Sequence, residues 1–249
     1  MYTQASTVSR VFAVGALLTS ALGPSRAAAQ DQQLENRARS AARVIADLVS
    51  DPKLSPPNSL LRTAHCVSAI PGVKEAAFVV GGAVGYGMVS CRTSGGWSYP
   101  SYMGLKGASA GFQIGGQEQA VVLLFMNSDA PKTVANTNFQ IGGKASVAAG
   151  PIGSSISAQS SVKESADIYS YSRKGAGLFA GIAMQGMNYE IDDKGNRTMY
   201  PSSFATSKDK SPSAAYLLST TAGSDLPAAL RVFVDMLNQR LGPGTLPKK

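Results

Sequence analysis

The sequence contains a single histidine, His65, and only two cysteines in 249 residues. Transition-metal sites need several converging Cys, His or carboxylate side chains, so we predict no metal site and no cofactor. The scarcity of histidine also argues against a serine hydrolase. Gly107-Ala108-Ser109-Ala110-Gly111 matches the G-x-S-x-G pattern, but these enzymes need a histidine after the serine, and His65 precedes it. We therefore expect no catalytic residues and no enzymatic activity.

Long apolar runs are also lacking. The run from Val11 to Leu22 has twelve residues, whereas a helix needs about 20 to span a bilayer. Arg10 precedes this run, and Ala27-Ala28-Ala29 follows it with the small residues at which signal peptidase cuts. We interpret residues 1–29 as a signal peptide and expect an exported protein, periplasmic or secreted; a single membrane anchor is the weaker alternative. Since no cysteine follows the run, a lipoprotein anchor is excluded.

Charged residues make up only 15% of the chain, and the formal net charge is +8. Removal of the signal peptide takes away Arg10 and Arg26 and leaves +6. A positive protein favours anionic partners, which include phospholipid head groups, nucleic acid and acidic protein surfaces. Because an exported protein meets membrane more readily than nucleic acid, we predict no nucleic-acid partner.

The segment from Leu34 to Val49 is predicted to be an amphipathic helix. Its apolar residues recur at spacings of three and four, while Arg39 and Arg43 lie opposite the apolar stripe and Arg37 flanks it. Two interpretations remain open. The stripe packs against the rest of the domain, or it lies in a membrane interface.

The rest of the chain favours an α+β fold that is mainly antiparallel β, barrel-like or sandwich-like, and that ends in helices. Short runs rich in Val, Ile, Phe and Tyr alternate with turn residues. We assign residues 30–242 to one domain and 243–249 to a flexible basic tail. The C-terminal helices are predicted at Pro212 to Thr220 and Leu226 to Leu241. The predicted strands are Cys66–Ile70, Ala76–Val80, Ala83–Arg92, Ala108–Ile114, Ala120–Met126, Ala145–Ala149, Ser154–Gln159, Ile168–Ser172, Leu178–Met184 and Met187–Ile191.

Two smaller features leave alternatives open. Cys66 and Cys91 form either a disulfide, as an oxidising compartment allows, or a pair of buried thiols. Glu190, Asp192 and Asp193 are too few for a calcium loop. We interpret the three acids as part of a solvated hairpin turn.

Several segments together resemble the SYLF family, also called the Ysc84 actin-binding domain. The resemblance covers most of the chain from Leu34 to Tyr200. It rests on Ala69-Ile70-Pro71-Gly72-Val73-Lys74, Gly81-Gly82-x-x-Gly85-x-Gly87, Gly96-Trp97-Ser98-x-Pro100, Val121-Val122-Leu123-Leu124, Ala145-Ser146-Val147-Ala148-Ala149-Gly150-Pro151-Ile152-Gly153, Tyr171-Ser172-Arg173 and Gly177-Leu178-Phe179-Ala180-Gly181.

The resemblance implies membrane binding, because family members bind phosphoinositides, partly through an N-terminal amphipathic helix, and some bind actin. It implies an anionic phospholipid surface as the partner and the helix from Leu34 to Val49 as one contact. An envelope protein partner is the alternative. The basic residues that become candidates for head-group binding are Arg37, Arg39, Arg43, Lys74, Arg92, Arg173 and Lys174.

Overall fold

A computed structural model describes residues 26–53, 55–76, 82–108, 118–136, 138–143, 145–152, 166–181, 184, 186–206 and 212–245. Within these ranges the chain forms one curled, mainly antiparallel sheet of nine strands, a half-barrel, with helices before and after it. This confirms the predicted fold class. The strands are β1 Cys66–Ala76, β2 Gly82–Cys91, β3 Ser101–Ala108, β4 Gln119–Phe125, β5 Asn138–Gln140, β6 Val147–Ala149, β7 Ile168–Lys174, β8 Ala180–Gly181 and β9 Asn188–Ile191.

The strand order places several connections at the same end of the sheet. The order is β5-β9-β3-β2-β1-β4-β7-β6, and β8 pairs with β7. Since β1, β2, β3, β4 and β7 pair antiparallel with their neighbours in this order, the carboxyl ends of β1, β3 and β7 share one end of the sheet. The amino ends of β2 and β4 lie there too.

The concave face of the sheet is filled by its own side chains. Phe125 on β4 and Tyr189 on β9 are separated by three strands in the sheet, yet their ring centroids are 5.9 Å apart. Only a curled sheet brings such strands together. Ser68 on β1 and the Tyr189 hydroxyl are also within hydrogen-bonding distance, 3.0 Å, across this interior.

Two helices cover part of the convex face. Helix α1, Arg26–Leu48, crosses the sheet and packs along α6, Ala228–Leu241. Their apolar stripes are buried in one cluster with Met88 and Val122 of the sheet. The stripe of α6 consists of Leu230, Phe233, Val234, Leu237 and Leu241, and the helix lies within the predicted span Leu226 to Leu241.

The shorter helices are α2 Asn58–Thr63, α3 Ala130–Ala135, α4 Asp193–Met199 and α5 Ala214–Ser219.

Two predictions about helices were wrong. Helix α1 begins at Arg26 rather than Leu34, because its first two turns are built from good helix formers that carry no apolar stripe. Asp193 opens α4 instead of a hairpin turn, since the Asp192 carboxylate accepts a hydrogen bond from the Gly195 N–H and caps the helix. No helix in the described residues is long and apolar enough to cross a bilayer.

The strands also differ from the sequence predictions. Strands β3 and β5 were not predicted, and β1 continues through Pro71 and Gly72 by way of a register shift. Strand β8 covers only two residues of the predicted strand Leu178–Met184 and pairs with β7. The predicted strand Ser154–Gln159, most of Ala108–Ile114, and Ser109 lie outside the described residues.

Cys66 and Cys91 are joined by a disulfide with an S–S distance of 2.06 Å. The two residues are opposite one another in the β1–β2 ladder and fully buried. Beyond α6, residues 243–245 of the predicted tail are tied to the domain, because Gly244 accepts a hydrogen bond from the Thr93 N–H.

Candidate functional site

The seven basic residues singled out in the sequence do not form one cluster. They occupy a buried position near the carboxyl end of β2, the two sides of α1, and the end of the sheet where β1, β3 and β7 finish. Each place gives the side chain a different role.

Arg92 is buried and holds the ends of three elements together. Its guanidinium donates hydrogen bonds to the carbonyl oxygens of Leu61, Ala64, Leu241 and Pro243. Its Cζ lies 4.3 Å from the centroid of the Trp97 ring. Burial, assisted by the nearby charge of Arg62, lowers the pKa of Arg92 to about 10, so it stays charged at neutral pH. Because these donors are used inside the domain, Arg92 has no part in the binding proposed below.

The apolar stripe of α1 is also buried inside the domain. Ala38, Ala41 and Ile45 are fully buried against α6 and the sheet. Of the two interpretations of this helix, the structure shows the packed one. Arg39 and Arg43 lie on the exposed side, where Arg39 pairs with Glu35 at 2.5 Å.

Arg37 lies on the side of α1 that faces the uncovered part of the sheet. It pairs with Asp192 at 2.8 Å, and its Cζ is 4.9 Å from the centroid of the Tyr86 ring on β2. This pair is largely shielded, with only 14% of the Arg37 side chain exposed. Arg37 therefore fixes the amino-terminal half of α1 to the sheet.

The remaining cations gather at one end of the sheet. Lys74 is near the end of β1, Lys106 near the end of β3 and Lys174 at the end of β7. We call these three residues the basic rim. All three are exposed or half-exposed, and Lys106 was not singled out in the sequence.

Carboxylates accompany the rim without burying it. Lys74 pairs with Glu118 at 3.4 Å while 74% of its side chain remains exposed, and Lys106 pairs with Glu190. The hydrogen bond to Glu190 raises the pKa of Lys106. Exposed pairs of this kind contribute little to stability, so both lysines remain available to another anion. Arg173 differs, because it pairs with Asp47 at 2.8 Å and is only 21% exposed.

Exposed apolar side chains also lie at this end of the sheet. Val84 stands opposite both Lys74 and Lys106 in the strand register. Leu178, four residues after Lys174 in the connection to β8, is 63% exposed. Tyr86 is 41% exposed and lies between Gly72 and Gly104 of the flanking strands. One end of the sheet thus combines cations with exposed apolar groups.

Sequence reasoning missed Lys106, Val84 and Leu178 as members of this surface. Alternation along β2 places Val84 and Tyr86 on one face. The partner of Val84 in the neighbouring strand, Lys106, can be assigned only once Ser101–Ala108 is known to be a strand.

Known proteins resemble most of this chain. The family model described as Ysc84, Las17-binding protein actin regulator, matches residues 106–238. The chain belongs to the Ysc84 family. Two SH3 domain-containing YSC84-like proteins 1, from Xenopus laevis and Homo sapiens, are each 30% identical over 174 residues, which is 67% of this chain. LAS seventeen-binding protein 3 of Saccharomyces cerevisiae is 31% identical over 179 residues, 68% of this chain.

This Ysc84 family member spans about half the length of the vertebrate relatives, 51% and 50%, and 38% of the yeast relative. The shared region therefore supports a common domain. It does not carry over the activities of the longer proteins.

Proposed function

We propose that this Ysc84 family member is a non-enzymatic binding module that docks on anionic phospholipid membranes through the basic rim. The observation that carries the proposal is that exposed Lys74, Lys106 and Lys174 all stand at the same end of the sheet, with exposed Val84 between the first two and exposed Leu178 in the connection that follows Lys174. Cations attract anionic head groups, and the transfer of an exposed leucine side chain out of water is favourable.

The expected free energies of these contacts suit reversible binding. A basic residue near an anionic membrane contributes about 1 kcal/mol, and burial of one leucine side chain contributes about 1.5–3 kcal/mol. The segments that join β1 to β2 and β3 to β4, residues 77–81 and 109–117, contain no charged residue in the sequence. Because they carry no charge, these segments would add no electrostatic repulsion of an anionic membrane at the rim end of the sheet.

In this proposal α1 acts as part of the scaffold rather than as an inserted helix. Its apolar stripe already contributes to the core, so insertion would expose buried side chains of α6 and the sheet. Arg39 and Arg43 on its exposed side supply additional long-range attraction.

We also propose that the protein works outside the cytoplasm, in the periplasm or after secretion. The apolar segment at Val11 to Leu22 with Ala27-Ala28-Ala29 supports export. The Cys66–Cys91 disulfide supports it independently, since such bonds persist mainly in oxidising compartments.

The test is co-sedimentation of the purified protein with neutral and anionic phosphatidylglycerol-containing vesicles. We expect binding to anionic vesicles only. Changing Lys74, Lys106 and Lys174 together to Glu should lower the affinity at least 100-fold, since the loss of three contacts of about 1 kcal/mol each already corresponds to about that factor. The matched control changes Lys132, Arg197 and Arg240 to Glu. These cations are exposed and lie in helices α3, α4 and α6, outside the rim.

Equal binding by the two triple variants would show that the rim has no special role. Absence of vesicle binding by the parent protein would overturn the proposal altogether.

The second candidate is a module that binds another protein of the cell envelope. The matched family and the yeast relative are named for Las17 binding. The rim also carries carboxylates as well as lysines, a mixture that suits contact with a protein surface. Capture of one stoichiometric protein partner that is lost in the rim variant, with no effect of lipid, would favour this candidate.

A further inference from the structure

The two ion pairs of the basic rim are arranged in the same way on either side of strand β2. Tyr86 lies two residues after Val84 on β2, so both side chains point to the same face of the sheet. In the strand register Tyr86 stands between Gly72 of β1 and Gly104 of β3. The positions on both sides of Tyr86 therefore lack a side chain of their own.

The rim carboxylates occupy the space above these two glycines. A Cβ added at Gly72 would stand 2.9 Å from both Cδ and Oε1 of Glu118. A Cβ added at Gly104 would stand 3.2 Å from Oε1 of Glu190 and 3.4 Å from Cδ1 of Tyr86. The two carboxylates therefore lie against the backbone of β1 and β3, one on each side of Tyr86.

Each carboxylate holds one lysine back over the sheet. Lys74 and Lys106 each stand two residues nearer the end of the strand than the glycine beneath the carboxylate. The Lys74 Nζ lies 3.4 Å from Oε1 of Glu118, and the Lys106 Nζ pairs with Oε1 of Glu190. Because these are the same oxygens that lie over the glycines, both ammonium groups fold back along the sheet instead of extending beyond its end.

Both pairs can exchange partners with an external anion. The exposed fraction of the side chain is 59% for Glu118 and 27% for Glu190, and exposed ion pairs contribute little to stability. After such an exchange the carboxylate stays within the Debye length, about 8 Å at physiological ionic strength, and repels an anionic surface. Lys174 differs, because it forms no ion pair within the part of the chain that the structure describes.

We propose that Glu118 and Glu190 restrict the rim to membranes with a high density of anionic phospholipid, a role that rests on the proposed function because it concerns the same contact. At a surface potential of about −30 mV, each unit charge near the membrane changes the affinity about threefold. The two carboxylates thus offset most of the attraction that Lys74 and Lys106 supply. Binding then needs the larger surface potential of a densely anionic membrane.

The test compares the parent protein with the double variant Glu118→Gln/Glu190→Gln in co-sedimentation with vesicles. Phosphatidylcholine vesicles would contain about 10%, 30% or 50% phosphatidylglycerol, so that the surface potential becomes more negative in steps. We expect the variant to bind about tenfold more tightly than the parent, since two charges at about threefold each are removed. It should also sediment with the vesicles poorest in phosphatidylglycerol, which the parent does not bind. Glutamine has nearly the same size as glutamate and both side chains are exposed or half-exposed, so the fold should be retained.

The matched control is Asp129→Asn/Asp235→Asn, which changes the net charge by the same amount. Asp129 pairs with Lys132 beyond the opposite end of β4, and Asp235 is an exposed residue of α6. This variant should bind vesicles of every composition nearly as the parent does. The gain of the rim carboxamide variant should disappear in about 1 M salt, where the Debye length is only about 3 Å.

The outcomes separate this proposal from membrane docking itself. Equal affinities of the parent and the rim carboxamide variant would overturn the role of Glu118 and Glu190, while binding by the parent would leave the proposed function in place. Equal tightening by the two carboxamide variants would also overturn it, since overall charge would then set the affinity. If neither parent nor variant binds any vesicle, both proposals fall. Binding by the rim carboxamide variant alone would support the role of the carboxylates and overturn membrane docking by the parent.

Discussion

Arg92 shows how one basic residue can be mistaken for a binding group. Its position after β2 and its charge are visible in the sequence, but the four carbonyl oxygens that accept from it come from residues 28 to 151 positions away. No local pattern indicates such partners. The same charge on Lys74, near the end of β1, remains exposed to solvent.

We predict that Arg92→Met lowers the free energy of unfolding by about 3 kcal/mol, because several buried carbonyl oxygens lose a charged donor. In a domain of this size the midpoint of thermal unfolding should fall by about 6–12 °C. Arg39→Met is the control, since its exposed pair with Glu35 contributes only about 0.3–0.5 kcal/mol. Equal midpoints for the two variants would contradict the structural role of Arg92.

Asp167 should make stability depend on pH. The hydrogen bond from the Ser146 N–H, with those from the Asn127 amide and the Ser146 hydroxyl, lowers the pKa of Asp167 below its ordinary value. A pKa that is lower in the folded state stabilises the protein above the unfolded pKa, about 3.9. This stability is lost as the pH falls through the folded value.

We therefore expect Asp167→Asn to cost about 1 kcal/mol at pH 7, a value reduced from that of buried charged hydrogen bonds because Asp167 is partly exposed. The difference from the parent protein should shrink between pH 5 and pH 3. Urea unfolding at several pH values measures it. A difference that stays constant over this range would show that the carboxylate charge is unimportant.

At the scale of elements, the sequence predicts best where one face is continuously apolar. Strands β2 and β4 and helix α6 lie within a few residues of their predicted bounds. Strand β3 was missed because Gly104 and Gly107 interrupt its pattern. At Gly107 a side chain would be crowded by backbone, since an added Cβ would stand 3.0 Å from the Gly186 carbonyl oxygen. Missing β3 removed Lys106 from the predicted site.

Helix α1 was predicted as a helix, but its environment was not. Amphipathic periodicity is the same whether the stripe meets a protein core or a membrane, so the sequence left both interpretations open. The partner stripe on α6 lies nearly 200 residues further along the chain. Only the tertiary fold brings the two together.

Ile45→Ala separates these two roles of α1. Ile45 is fully buried, so its truncation should cost about 2–5 kcal/mol of stability while leaving vesicle binding unchanged below the unfolding temperature. Val232→Ala, at an exposed apolar position of α6, should change neither quantity appreciably. Weakened vesicle binding by folded Ile45→Ala would indicate that α1 inserts its stripe into the membrane.

At the scale of the whole molecule, the two ends of the sheet carry different chemistry. The rim end exposes lysines together with Leu178 and Val84, while a pocket near the other end is lined by the carboxamides of Asn127, Asn138 and Gln140. Helices α1 and α6 lie across the convex face between them.

The membrane contact proposed here has an electrostatic and an apolar component, and salt separates them. The Debye length falls from about 10 Å at 0.1 M salt to about 3 Å at 1 M salt, so attraction by the rim lysines should fade as salt is added. Transfer of Leu178 into the bilayer interface is not screened in this way. Binding that persists in high salt would come mainly from this side chain.

We predict that Leu178→Asp weakens binding to anionic vesicles at least tenfold at 0.05 M salt. At 0.5 M salt it should abolish the binding that the parent protein retains. The expectation follows because 63% of the Leu178 side chain is exposed beside the rim and its burial contributes about 1.5–3 kcal/mol. Val232→Asp adds the same charge at an exposed apolar position of α6 and should leave binding nearly unchanged. If the two aspartate variants lose affinity equally, net charge rather than insertion at the rim governs the contact.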